Sequence, residues 1–484
     1  MKKFYSFLVM IFIACTFVLC GCGRTPLDMP ATNDAVIGNG GIAVVKGDYL
    51  YYINGYDDAS AYTDYKTENV YGKEVRGAIY RTTLVDGEIQ KDKDGFLVET
   101  QVVVPKVVGF STGGFYIIGD YLYYTTPLME LSYPEKKLQN DKMEICRIKL
   151  DGTGNERLAT TKNANSTFNW GVYLVDGNTY VVFLDGKNLV SVKAENKEYV
   201  VMAEGVSSVA LLKQDNFAFD KDALKDNEKL VYYARSVKDS DANQKAKNIF
   251  ASVKIGTNAE TILADDNNTT YEVKAMEAGN VYYLKTNAVT SLKTLWKRTL
   301  GETAENQVSG GEYSSIYVLD SVYNANGYNA LVVDSTNSIY LLKDGNDNNR
   351  QLIGNYSTIT GLGVKNGYFY FVSDKSICRV NIFATNPEKE VLTDSKKTYY
   401  VSTPSLIDFD GRRLFAFVEY DGKTEEDSEE ANKNYYLNVI DLTKSEFKSR
   451  FVGIFADGEC PEKPEECKHT DHLAEECPQA PWID

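Results

Sequence analysis

The stretch that decides the fold is GDYLYYINGY at residues 47–56, whose first six residues return unchanged in GDYLYYTTPL at residues 119–128. Each copy follows an apolar run and begins with a tight Gly-Asp turn, the pattern of a β-hairpin. An I-x-R segment and an Asp-Gly turn come next in both copies, at residues 79–87 and 145–152. The chain therefore repeats a supersecondary unit, and such repeats indicate a repeat architecture.

Weaker copies of this unit continue along the chain. We count eight units of roughly 50 residues, the spacing of propeller blades. The sequence predicts an all-β fold, a single β-propeller of about eight four-stranded antiparallel blades over residues 42–455, with seven blades as the alternative. The position of Tyr51 is predicted to recur at Tyr123, Val181, Tyr232, Tyr283, Val332, Tyr370 and Phe415. The position of Ile79 is predicted to recur at Ile145, Leu189, Ile249, Leu295, Ile339, Ile377 and Leu437.

These repeats resemble the YWTD propellers of the low-density-lipoprotein-receptor type, which carry Tyr-Trp-Thr-Asp followed by I-x-R-x-x-L-D-G. The corresponding segments here are Tyr51 to Asn54 with residues 79–87, and Tyr123 to Thr126 with residues 145–152. The Trp and Asp of the motif are missing, and that family has six blades. The resemblance implies a propeller with a binding role and transfers no ligand residue.

The N-terminus has the pattern of a bacterial lipoprotein signal. Lys2 and Lys3 precede an apolar run too short to span a bilayer, which ends in Leu-Cys-Gly-Cys at residues 19–22. Residues 1–21 are predicted to be removed and Cys22 to be lipidated, which anchors the chain outside the cell membrane. Residues 22–41 then form a flexible tether. Lys greatly outnumbers Arg, which suggests an AT-rich genome and a Gram-positive host.

Long connections between the second and third strands of a unit are expected at residues 55–77, 127–143, 235–247 and 420–434. Alternating strand direction places all four at one end of the ring, and insertions on one end often mark a binding face. The first connection carries tyrosines beside carboxylates, which suit sugars or the aromatic anchors of a protein interface, or simply pack on their own blade. The candidate ligand-binding residues are Tyr56, Asp57, Asp58, Tyr62, Asp64, Tyr65 and Tyr71.

Residues 456–484 form an acidic tail that contains both histidines of the chain. Thiolates and imidazoles so close together favour zinc, although their spacing matches no standard finger. A disulfide with a spare thiol and an unstructured tail are the alternatives. The candidate metal ligands are Cys460, Cys467, His469, His472 and Cys477.

Composition narrows the function. The net charge of -16 disfavours nucleic acid as a partner. With 2 histidines, both in the tail, residues 42–455 hold no Ser-His-Asp or Cys-His site. We expect a lipid-anchored extracytoplasmic module that binds or scaffolds a cell-surface protein or glycan, without a cofactor. A glycan-active enzyme with a carboxylate pair in the channel is the first alternative, and a zinc-binding tail is the second. Cys146 and Cys378, on non-adjacent units, are expected to be buried free thiols.

Overall fold

The structure is a computed structural model of the full chain. Of that chain it describes residues 26–31, 40–55, 77–90, 100–106, 108, 114–130, 137–161, 169–211, 229–237, 247–277, 279–309, 313–319, 327–343, 346–374, 376–393, 399–400, 407–409, 412–420, 434–443 and 450–451.

The described strands group into eight antiparallel sheets, numbered here in chain order. Sheet 1 contains β1 (Ala43–Lys46), β2 (Tyr49–Ile53), β3 (Ile79–Val85), β4 (Glu88–Ile89) and β5 (Thr100–Val104). Sheet 2 contains β6 (Phe115–Ile118), β7 (Tyr121–Glu130), β8 (Lys137–Lys149) and β9 (Glu156–Thr160). Sheet 3 contains β10 (Trp170–Val175), β11 (Asn178–Asp185), β12 (Asn188–Lys193) and β13 (Glu198–Ala203). Sheet 4 contains β14 (Val206–Ala210), β15 (Leu230–Val237), β16 (Lys247–Lys254) and β17 (Glu260–Asp266).

The second half of the chain repeats the arrangement. Sheet 5 contains β18 (Thr269–Glu277), β19 (Asn280–Asn287), β20 (Lys293–Thr299) and β21 (Glu305–Ser309). Sheet 6 contains β22 (Tyr313–Val318), β23 (Tyr328–Asp334), β24 (Ser338–Lys343) and β25 (Asn346–Asn355). Sheet 7 contains β26 (Thr360–Lys365), β27 (Tyr368–Ser373), β28 (Ser376–Asn381) and β29 (Lys389–Val391). Sheet 8 contains β30 (Tyr399–Tyr400), β31 (Ile407–Phe409), β32 (Arg413–Tyr420), β33 (Asn434–Asp441) and β34 (Arg450–Phe451).

Each sheet is a simple meander in which consecutive strands pair. Sheets 1 and 8 have a fifth strand because two short strands share one neighbour: β4 and β5 both pair with β3, and β30 and β31 both pair with β32. First strands of neighbouring sheets also lie close together, as in the bridge between Gly41 and Phe115 at the start of sheets 1 and 2. First strands therefore line the middle of the ring.

Every pair of neighbouring sheets shares an apolar core, so the row of sheets closes into a ring. The junctions are represented by Tyr123 with Val181, Val182 with Tyr233, Tyr232 with Tyr283, Tyr282 with Val332, Leu331 with Phe369, and Tyr370 with Leu414. One further core joins Phe415 of sheet 8 to Tyr51 of sheet 1 and Leu122 of sheet 2. The predicted β-propeller is confirmed, because each sheet packs its two faces against the two neighbouring sheets of the ring.

The predicted repeat positions fall on the second and third strands of every sheet, but the exact residue shifts by one in four sheets. In sheets 1 and 2 the reference tyrosine lies opposite the arginine of I-x-R, as Tyr51 does opposite Arg81. By the same criterion Val182, Tyr282 and Leu331 replace the predicted Val181, Tyr283 and Val332. In sheet 1 a register shift between the third and fourth strands follows Ile79. In sheet 4 the corresponding shift follows Phe250, so Phe250 is equivalent to Ile79 and replaces the predicted Ile249.

The physical reason is that adjacent second-strand residues are apolar on both faces. Tyr51 and Tyr52 are each 0% exposed although they point to opposite sides of sheet 1. A one-residue shift exchanges the faces of a strand, and the apolar pattern identifies the correct register only when one face is polar.

Candidate functional site

The two ends of the ring differ in how they are closed. The first-to-second and third-to-fourth strand turns lie together, because Leu84 donates its amide to Asp48 across sheet 1 (2.6 Å) and Leu150 donates to Asp120 across sheet 2 (2.9 Å). We call this the tight-turn end. Its two-residue turns include Asp86-Gly87, where φ is 53° and 76°. Positive φ at both positions is the type I′ geometry that matches strand twist.

The opposite end carries the connections between second and third strands, and we call it the long-loop end. The candidate residues Tyr56, Asp57, Asp58, Tyr62, Asp64, Tyr65 and Tyr71 belong to a connection whose residues 56–76 lie outside the described ones. The base of that connection is described. Asn54 donates its amide to Ala78 (2.8 Å), and Gly77 donates to Asn54 (2.7 Å). The connection that carries the candidate residues therefore leaves sheet 1 and returns to it at neighbouring, hydrogen-bonded residues on the long-loop end.

The second predicted long loop, residues 127–143, is not a loop throughout. Strands β7 and β8 continue past the edge of the sheet, with Pro127 opposite Met143 and Glu130 opposite Lys137. This corrects the prediction. Pro127 lies within β7, because a proline is tolerated in a strand wherever its missing amide is not needed by a neighbour. Sheet 2 thus projects a two-stranded hairpin at the long-loop end.

The short connections at this end are held by local hydrogen bonds. In sheet 6 the Asp334 carboxylate accepts amide hydrogen bonds from Thr336 (2.8 Å) and Ser338 (3.0 Å). Burial favours the neutral acid, but these bonds hold the pKa of Asp334 below its usual range. The short connection of sheet 6 is therefore a locally hydrogen-bonded turn.

Sequence reasoning missed a run of bulges around the ring centre. The first strands of sheets 4 to 7 each contain a register shift at one residue, namely Ser207, Lys274, Ser314 and Leu362. Bulges are frequent beside binding sites because they redirect side chains. The doubled serines at 207–208 and 314–315 were the available signal.

Two of the bulged residues, Ser207 and Ser314, carry hydroxyls near the long-loop end of their strands. Ser207 and Ser314 donate their hydroxyls to second-strand carbonyls of Ala234 and Val333 (both 3.0 Å). Ser208 accepts the amide of Val273 from the next sheet (3.0 Å). Lys274 forms an ion pair with Glu272. The serine hydroxyls keep free acceptor capacity after these bonds, which suits hydrogen-bonding to a polar partner.

A shallow cleft of about 490 Å³ lies at the other end, between sheets 2 and 3. Its cation, Arg147, already donates to Glu156 (2.9 Å) and lies over the ring of Tyr121 (4.6 Å from the ring centre). A hydrogen bond from Lys197 and a second from Arg147 lower the pKa of Glu156. The one cation that lines this cleft is therefore already paired, so the cleft is a poorer candidate than the long-loop end.

The arginine of the I-x-R motif has a structural role. Arg81, Arg147 and Arg379 lie over the rings of Tyr49, Tyr121 and Tyr368, at 4.1, 4.6 and 4.3 Å. Each also donates to a fourth-strand oxygen, on Gln101, Glu156 and Glu390 respectively (2.9, 2.9 and 2.8 Å). The motif therefore ties the second, third and fourth strands together, which explains its repetition without a ligand.

Acid–base chemistry by carboxyl groups finds no support among the described residues. Every described carboxyl group with a clear shift has a lowered pKa, whereas a general acid of a glycosidase needs a raised one. In Glu88 the cause is first a hydrogen bond from Arg412, and in Glu260 the bonds from Arg235 and Tyr233 outweigh burial. The set comprises Glu88, Glu156, Glu260, Asp266, Glu305, Asp334 and Asp374.

The cysteines follow the prediction where they are described. Cys146 and Cys378 are buried free thiols on sheets 2 and 7. The candidate metal ligands Cys460, Cys467, His469, His472 and Cys477 lie outside the described residues, as does the lipidation candidate Cys22. Within the described ranges no group of three or more His, Cys, Asp or Glu side chains is placed to hold a metal ion. Those ranges also contain no helix long and apolar enough to cross a membrane.

No family model and no curated protein matches this chain. Solved structures with a similar fold include a prolyl endopeptidase (11% identity, TM-score 0.44), which aligns over 71% of this chain and 50% of its own. Dipeptidyl peptidase 4 of Porphyromonas gingivalis aligns over 88% and 62% (12% identity, TM-score 0.45). A chain of a nidogen/laminin complex aligns over 51% and 89% (10% identity, TM-score 0.29). This chain thus spans half the length of the prolyl endopeptidase. Identities this low say nothing about substrates or partners.

Proposed function

We propose that this chain is a lipid-anchored extracytoplasmic protein of a Gram-positive bacterium, whose propeller binds a cell-surface protein or glycan through its long-loop end. The observation that carries the proposal is the difference between the two ends. At one end five of the eight first-to-second strand turns are two residues long, and residues 211–229 form the one connection of that kind between described strands that is longer than ten residues. The other end carries the predicted long connections, the projecting hairpin of sheet 2 and the bulges at Ser207 and Ser314.

The residues proposed to make the contact are the tyrosines and carboxylates of residues 56–71. Tyrosine supplies a large contact area for little lost side-chain freedom, and it also hydrogen-bonds through its hydroxyl. The neck between Asn54 and Ala78 supports this proposal, because it fixes where the connection leaves sheet 1. The resemblance to YWTD propellers agrees with a binding role.

Site-specific photo-crosslinking in cells of the native host tests the binding face. A photoreactive phenylalanine analogue replaces Tyr62 or Tyr65 in the full chain. The matched control carries it at Asn196, an exposed residue at the tight-turn end of sheet 3. We expect a discrete crosslinked product from positions 62 and 65 and none from 196. Equal products from both ends would contradict the proposal, and peptide or sugar fragments in the product identify the partner class.

Lipidation is tested separately. Cells grown with a labelled fatty acid should transfer the label to the wild-type chain and to Cys20→Ala, but not to Cys22→Ala. Label retained by Cys22→Ala would remove the anchor from the proposal.

The zinc alternative is tested by metal analysis of the purified full chain against Cys467→Ser with His469→Ala, where equal zinc contents exclude the tail as its site.

A further inference from the structure

Residues just before the first strand are fixed to the ring. Leu27 donates its amide to the Asp151 carbonyl (2.9 Å), and its side chain packs against the core of sheets 1, 2 and 8. The buried guanidinium of Arg81 donates through Nη1 to the Asp28 carbonyl. Part of the expected tether, residues 26–31, therefore lies against the propeller.

The contacts place this segment at the tight-turn end. Asp151 belongs to the turn between the third and fourth strands of sheet 2, beside the Asp120 turn to which Leu150 donates. Arg81 lies over Tyr49, the first residue of β2 after the Gly47-Asp48 turn. Both partners of the segment are thus at the end opposite to the connections between second and third strands, which include the candidate residues 56–71.

The distance to the proposed lipid is short. Cys22 precedes Pro26 by four residues, and an extended chain spans at most about 3.5 Å per residue, or about 14 Å in all. Strands of seven or eight residues, such as β3 and β15, rise about 3.3 Å per residue, so the long-loop end lies roughly 25 Å beyond the tight-turn end.

We propose that the docked segment orients the propeller on the bilayer: the tight-turn end faces the lipid surface within about 14 Å, and the long-loop end faces away from the cell. The inference rests on the proposed lipidation of Cys22. It deepens the proposed function, because it directs the candidate residues 56–71 outward, toward partners that are not in the same membrane.

Energy transfer to vesicles measures this orientation. The lipidated full chain is bound to phosphatidylglycerol and phosphatidylethanolamine vesicles that contain headgroup-labelled acceptor lipid. A fluorescent amino acid is placed at one of four exposed positions, two on sheet 3 and two on sheet 5. Asn196 and Glu302 mark the tight-turn end, and Lys187 and Val289 mark the long-loop end. We expect several-fold greater transfer from Asn196 and Glu302. Equal or reversed transfer overturns the proposal.

Two variants test whether the docked segment causes the orientation. Leu27→Asp, which opposes burial against the core, should make transfer from the two ends equal while thermal unfolding still shows a folded ring. Met29→Asp, at an exposed neighbour (41% exposed), should keep the difference. An unchanged difference in Leu27→Asp would contradict the proposed cause.

If Cys22→Ala still binds the vesicles, the proposed lipid anchor fails as well; if only the wild type binds but shows no difference between the ends, the orientation alone fails.

Discussion

At the scale of single residues, Glu305 is a carboxylate that bonds to a tyrosine, a lysine and an arginine. It accepts hydrogen bonds from Tyr283 and Lys285, and Arg298 donates to it at 3.1 Å. Burial would raise its pKa, but these donors hold the pKa of Glu305 below the usual range. Arg298 is only 3% exposed, so loss of the carboxylate leaves a buried cation without its partner.

We therefore expect Glu305→Gln to lower the free energy of unfolding at pH 7 by about 1–3 kcal/mol. A lowered folded-state pKa gives stability that is present above the unfolded value, near 4.3, and is lost as pH falls through the folded value. The difference from wild type in urea unfolding should narrow below about pH 4. The exposed control Glu302→Gln should match wild type, and a gap of equal size at pH 3 and pH 7 would refute the ion-pair explanation.

The two described thiols make a second prediction at this scale. Burial raises the pKa of Cys146 to about 12 and that of Cys378 to about 11, so neither carries thiolate at pH 8. The number of thiols that react with an aromatic disulfide reagent should be the same in the folded wild type and in the folded double variant Cys146→Ser, Cys378→Ser. In denaturant the double variant should show two fewer reactive thiols than wild type. Fewer reactive thiols in the folded variant would mean that one of these cysteines is accessible.

At the scale of elements, the pattern of the sequence predicted which segments are strands and which strand of a sheet each one is. It could not fix the register of sheets 3 to 6, because neighbouring residues such as Tyr282 and Tyr283 are both buried, in the cores on opposite faces of sheet 5. It also missed the first-strand bulges, since an inserted residue such as Lys274 displaces the two-residue alternation by a single position, too little to recognise in a short strand. Loop length identified a candidate face, but loop geometry depends on contacts that no local pattern records.

The junction between the first strands of sheets 1 and 2 gives a test of element packing. A Cβ added at Gly114 would lie 1.8 Å from the Gly40 carbonyl oxygen, a backbone atom that cannot turn aside. We expect Gly114→Ala to destabilise the fold more than Gly87→Ala, which has positive φ but open space and should cost about 1–2 kcal/mol through backbone strain alone. Urea unfolding of the two variants makes the comparison, and an equal or smaller effect at Gly114 would contradict the close approach of Gly40 to Gly114.

At the scale of the whole molecule, closure of the ring determines whether the long connections of sheets 8 and 1 lie side by side. Sheet 8 meets sheet 1 through the core that contains Phe415 and Tyr51, and through Arg413, which donates to the Gly87 carbonyl. The ion pair of Arg412 with Glu88 joins residues 324 positions apart in the chain. If sheets 1 and 8 were apart, the long connections of these two sheets would not adjoin, and the proposed binding face would lose the contribution of sheet 8.

A zero-length crosslink across this junction tests closure most directly. In Arg412→Lys, a carbodiimide should join the new amine to Glu88, and mass spectrometry should find the 88–412 peptide pair. Adding Glu88→Gln should abolish that pair. Lys197 and Glu156, 3.0 Å apart between sheets 3 and 2, provide the internal control. A closed ring predicts both crosslinks, whereas the 156–197 pair without the 88–412 pair would show that the row of sheets is open.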